Sequence, residues 1–158
     1  MWLNVQDALV AYLQGQQAPG GRLESIQTVR AGDEDTTFDL QYPLVTVAAG
    51  DTFTVEGTSA RIELRFDFDV AVHALDQGGR DSAERALQTL VWDGRGPTST
   101  GVLPALMALM HNGLTVDGGN HLVRVSGPPR LGFATQQSVW VAGLVIPVSV
   151  IRYEQPPR

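Results

Sequence analysis

Residues Arg61–Val72 read RIELRFDFDVAV. Ile62, Leu64, Phe66, Phe68, Val70 and Val72 hold the even positions, and Arg61, Glu63, Arg65, Asp67 and Asp69 hold the odd ones. Side chains of a strand alternate between its two faces, so this run predicts a long strand with one face on a core. The other face meets water or a partner. Antiparallel sheets covered on one side give this pattern.

Downstream, Gln77-Gly78-Gly79 breaks the strand. Asp81 or Ser82 is the expected cap of a helix with the apolar stripe Ala83, Ala86, Leu87, Leu90 and Val91, stopping at Gly94. A loop over Arg95–Ser99 follows. Thr100 is the expected cap of a further helix, with Pro104 in its first turn. That helix is apolar nearly all round (Val102, Leu103, Leu106, Met107, Leu109, Met110), which predicts burial on more than one side. Asn112-Gly113 and Asp117-Gly118-Gly119 are turns, His121–Ser126 is a strand, and Gly127-Pro128-Pro129 ends it. Ser138–Tyr153 reads as a last long strand or strand pair, with Pro147 predicting an edge position or a bulge.

Upstream, Tyr42-Pro43 opens a strand over Leu44–Val47, Gly50-Asp51 turns the chain, and Thr52–Glu56 (TFTVE) makes a second short strand. Residues 31–41 form a polar acidic loop, and Leu23–Val29 a short edge strand. Asn4 is the expected cap of an N-terminal helix with Val5, Leu9, Tyr12 and Leu13 on one face, ending near Gly15. The tail from about residue 154 is expected to be loose. Helices falling between strands predict one α+β domain over residues 1–158, a mostly antiparallel sheet with helices packed on one face.

Composition narrows the chemistry. A chain of 158 residues, 43% apolar and 18% charged, is long enough for a core and too apolar for general disorder. Cysteine is absent, which excludes disulfides, zinc–thiolate sites and cysteine nucleophiles. All eleven basic residues are arginines, so P-loop and lysine chemistry are excluded as well. The net charge of −6, without a dense basic run, is a poor grip for a phosphate backbone. The apolar run Val139–Ile151 is too short for a membrane span, and the N-terminus lacks a signal peptide's basic start, so a cytoplasmic chain without membrane contact is expected.

His73, His111 and His121 share no ligand spacing and read as unrelated surface or rim residues. Asp67 and Asp69, with Glu63, lie on one strand face, a pattern that serves acid–base work or a hard cation. The interleaved Arg61 and Arg65 favour a solvated face or a charged subunit contact. Asp33, Glu34, Asp35 and Asp39 lack the spacing of a calcium loop. No nucleophile elbow occurs. No cofactor, metal site or catalytic residue is therefore predicted. Trp92, Trp140, Phe133 and Tyr153 are candidate partner contacts, because aromatic residues anchor interfaces.

The order of elements carries a resemblance. A short helix (VQDALVAYL), an aromatic-Pro strand start (YPLVTV), the alternating strand (RIELRFDFDVAVHA), two helices (DSAERALQTLV and VLPALMALMHN) and closing strands (HLVRVSG and SVWVAGLVIPVSVIRY) cover nearly the whole chain. This layout resembles the tail terminator proteins of long-tailed bacteriophages and the related neck and tail-completion proteins. TFTVE departs from it by lengthening the hairpin region. The resemblance implies a non-enzymatic virion protein at the tail–neck junction, assembled in the host cytoplasm. It implies a hexameric ring that caps the tail tube, stops its polymerisation and joins tail to head. The implied partners are further copies of the chain, tail-tube protein, and a neck or head-completion protein. Genomic DNA would pass through the lumen without specific binding. Interface residues on this reading are Arg61, Glu63, Arg65, Asp67 and Asp69 on the strand. Asp33, Glu34, Asp35, Trp92, Arg95 and Trp140 belong to or flank the loops 31–41 and 93–99 and the last strand. The alternatives are a head–tail connector or neck-adaptor ring, and a small metal- or ligand-binding enzyme using the acidic strand face.

Overall fold

In the computed structural model, which describes residues 2–32, 41–76, 78–136 and 139–157, the alternating run forms a strand, β3, over Ile62–Asp76. Its even positions from Phe66 to Ala74 are buried against α1 (Trp2–Gly15) and α2 (Arg80–Val91), and α3 (Val102–Asn112) packs beside them on α2 and β5. Burial of each large apolar side chain contributes about 1.5–3 kcal/mol, so this stripe anchors the helix layer. The remaining strands are β1 (Thr28–Ala31), β2 (Leu44–Gly57), β4 (Leu114–Val116), β5 (Gly119–Val125), β6 (Arg130–Gln136) and β7 (Val139–Glu154). They make a seven-stranded sheet in the order β1-β2-β3-β7-β5-β4, with β6 also on β7. Among the described residues only β1–β2 is parallel. The protein is thus an α+β fold, a mostly antiparallel sheet with its helices on one face.

Several elements differ from the sequence expectations, each for a packing reason. α1 begins at Trp2 and not after Asn4. The Trp2 ring packs among Phe53, Phe66 and Phe68, with centroids 5.6, 5.8 and 6.1 Å away, and Asn4 instead donates to Asp117 Oδ2 at 3.1 Å. The expected edge strand Leu23–Val29 is a turn-rich segment leading into β1, which lies parallel to β2. TFTVE is not a separate strand: β2 runs through Gly50-Asp51 with a register shift between Ala49 and Phe53. Helices α2 and α3 are capped by Gly79 and Gly101, at φ 101° and 120°, not by Asp81, Ser82 or Thr100. β4 and β6 were both unexpected, being respectively very short and interrupted by Gly132.

Pro147 lies in a central strand and not at an edge. Asp69 of β3 pairs it on one side. On the other side β5 ends opposite Val148 and β6 begins opposite Val145. Pro147 faces that gap, where Ser126 N–H donates to its carbonyl at 2.9 Å. A strand residue aims its N–H and C=O the same way, so the missing donor falls where no partner strand requires it. The expected loop 31–41 lies largely outside the described residues, as do Asp33, Glu34 and Asp35. Among the described residues no helix is long and apolar enough to cross a membrane.

Candidate interaction surfaces

The odd-numbered row of β3 lies on the sheet face away from the helices. Asp67 pairs directly with Ser149 of β7. The Ser149 hydroxyl donates to Asp67 Oδ1, and Arg65 Nε reaches both Asp67 Oδ1 and Ser149 Oγ at 3.2 Å. Ser149 is buried at 1% exposure, so this carboxylate belongs to a packed polar network. Asp69 faces Arg130 at 3.7 Å, and the Arg61 guanidinium lies 3.3 Å over the Tyr153 ring. Arg65, Asp67 and Asp69 thus meet charged or polar neighbours of the same chain, whereas Glu63 stands opposite Glu56 of β2. No group of three or more His, Asp or Glu suited to a metal ion occurs among the described residues. The centre of the motif thus becomes a polar network that ties β3 to β7 through Ser149.

The histidines stay apart. His73 stands in β3 beside Gly143, and His111 in the last turn of α3. His121 overturns the expectation of a surface or rim residue. It is 2% exposed, because β5 turns His121 and Val123 inward, and its Nδ1 lies 3.2 Å from the Gly119 carbonyl.

The segment between α2 and α3 is held in one shape. Trp92 Nε1–H donates to Ser99 Oγ at 3.1 Å, Thr100 Oγ1–H donates to Asp93 Oδ2 at 2.8 Å, and Arg95 N–H donates to Asp93 Oδ1 at 3.2 Å. Arg22 secures it from below through the Ser99 carbonyl at 2.7 Å. Desolvation pushes the Asp93 carboxyl up. The hydrogen bonds from Thr100 and Arg95, with the Arg95 charge, outweigh it and hold the group below its ordinary 3.8. This rigid strap presents Trp92 at 55% exposure and leaves the Arg95 side chain in solvent. Trp140, by contrast, is partly buried against the core, as are Phe133 and Tyr153 in their own settings. Phe133 lies under the Arg80 guanidinium at 4.2 Å.

Two apolar surfaces stand out among the described residues. The first is an arm made by the outer parts of β2 and β3 with the end of β7. The apolar stripe of β3 continues past the helix layer: Phe66 is covered by Trp2, whereas Leu64 and Ile62 beyond it are only half-buried. On β2, Phe53 opposite Phe66 and Val55 opposite Leu64 are 45% and 58% exposed. The second is a cleft of about 370 Å³ between α2 and the β6–β7 hairpin, lined by Leu87, Gln88, Val91, Trp92, Leu131 and Leu144. Phe53, Val55 and Leu131 were not singled out as contact residues from sequence. The alternation in TFTVE was a usable signal for the first two, but their exposure depends on where the helix layer ends.

No protein-family model and no curated protein matches this chain. Seventeen chains of solved structures do match. One of them aligns over 97% of this chain and 98% of its own length, at 16% identity and a TM-score of 0.44. A likeness that weak carries no argument about function.

Proposed function

We propose that this protein is a structural subunit of a long-tailed phage virion, a tail terminator whose copies form a ring on the tail tube and join it to the head. The observation that supports the reading most is the arm. A sheet face that is apolar beyond its own helix cover costs free energy in water, about 25 cal/mol for each Å² left uncovered. Contiguous surfaces of that kind mark contacts with another chain. A ring subunit requires such contacts. The acidic balance of −6 suits a lumen through which DNA slides, since like charge prevents sticking to the wall. The charged row of β3 is less suited to chemistry, because Asp67 is committed to Ser149 and Arg65.

Light scattering of the purified chain, alone and with tail-tube protein, tests this. A ring, or a particle formed only on tube ends that holds tubes at fixed length, is the expected result. A particle that prefers head components would move the assignment to a connector or neck adaptor. A monomer indifferent to tubes at every concentration would refute the ring.

A further inference from the structure

The arm and the cleft lie on the same sheet face and at opposite ends of it. Leu64 pairs with Arg152, whereas Val72 pairs with Leu144, which in turn pairs with Leu131. Eight residues of β3 separate the two sites, about 26 Å at a strand's rise of 3.3 Å per residue. Each site also borders an open strand edge. β1 covers β2 only from Leu44 to Val47, and among the described residues no strand pairs with the outer edge of β2 beyond that point. β6 has β7 on one side, and no described strand on the other. Open edges are ordinarily blunted by lysine, proline or a covering loop. The segments Phe53–Gly57 and Arg130–Phe133 carry no proline and one charged residue each, Glu56 and Arg130, of opposite sign.

We propose that the outer edge of β2 in one copy pairs with the β6 edge of a second copy, seating Phe53 and Val55 of the first in the Trp92 cleft of the second. This rests on the ring reading and names its subunit contact. Both faces of the joined edges match. On the helix side, Phe53 and Val55 come beside Leu131, and the neighbour's α2 and Trp92 supply the cover that the arm lacks. On the opposite side, Glu56 and Thr54 come beside Arg130, whose own acid, Asp69, is 3.7 Å away. β2 and β6 run in opposite directions within one sheet, so copies in like orientation pair antiparallel. Because the two surfaces differ, the contact is head-to-tail. Repeated, such a contact closes into a ring or continues as a filament.

The absence of cysteine makes a direct test simple. Val55→Cys lies on the arm and Gln88→Cys in the cleft, both at exposed positions. The double variant, treated with a short bis-maleimide alone and on tail-tube protein, is expected to give a ladder of covalent dimers and higher species. Mixed single variants should stop at dimers, and each single variant alone should give none. Val55→Arg, at a site too exposed to unfold the chain, should abolish the ladder and shift the particle mass to that of one subunit. Glu56→Arg should weaken assembly and regain it on addition of Arg130→Glu in the same chain. A ring that forms without the cross-link would overturn the edge pairing and leave the terminator reading standing. A ladder on a protein indifferent to tail tubes would support the pairing and overturn that reading. A monomer that never cross-links in either setting would overturn both.

Discussion

Gly79 and Gly101 offer a controlled comparison of backbone strain with steric exclusion. Both cap helices in nearly the same conformation, φ 101° with ψ −175° and φ 120° with ψ 174°. An L-residue there costs about 1–3 kcal/mol, so Gly79→Ala and Gly101→Ala share that loss. They differ in their neighbours. A Cβ at Gly79 meets nothing within 4 Å, whereas one at Gly101 falls 2.5 Å from the Val91 carbonyl oxygen and 2.8 Å from that of Leu90. Those atoms are the backbone end of α2 and cannot rotate away. Gly101 N–H also donates to the Arg22 carbonyl at 2.8 Å, so movement there strains the strap that holds Trp92. Gly101→Ala should therefore lose at least about 2 kcal/mol more than Gly79→Ala, in the range of severe single substitutions. With a urea slope of about 1–3 kcal/mol per M, the two midpoints should differ by roughly 1 M. Equal midpoints would refute the steric argument, because conformational strain would then account for both.

Other substitutions separate core from surface. Phe68→Ala empties a site 1% exposed and should cost about 3–5 kcal/mol in chemical denaturation, whereas Phe53→Ala, in the same aromatic cluster but 45% exposed, should cost well under half of that. Ser149→Ala removes the hydroxyl donor to Asp67 but leaves Arg65 in place, so a loss of about 1 kcal/mol is expected. A much larger loss would mean that Asp67 depends on the hydroxyl alone. Asp93 has a lowered carboxyl value in the folded chain, so its stabilising effect is present above 3.8 and is lost as pH falls through the lower folded value. The urea midpoint of Asp93→Asn should lie below that of the parent chain at about pH 6, and the gap should narrow as pH falls below 3.8. A gap that persists at the acid end would show that the strap does not depend on the ionised carboxylate.

The alternation from Ile62 to Val72 decided β3 and, through it, the sheet with one covered face, because period two is a local property of extended backbone. The stripes of α2 and α3 were legible for a similar reason: a helix repeats often enough in twelve or eleven residues to display its buried side. The charged row was legible as a row, and its residues do lie on one face. Its chemistry was not legible, since Ser149 stands 82 positions from Asp67 and only strand pairing brings them together.

Tertiary structure alone decided the caps, the burial of His121 and the place of Pro147. Gly79 and Gly101 displaced the polar cap residues because the chain enters each helix at a φ that suits glycine. Pro147 is tolerated in a central strand because two short strands meet opposite it. The candidate contact surfaces follow the same logic. TFTVE has an apolar alternation like that of any half-buried strand. Phe53 and Val55 are nevertheless exposed: Trp2 of α1 packs on Phe53, and Val55 lies farther out along β2. Where one layer stops relative to another is set by packing between distant segments, not by the residues of either segment alone.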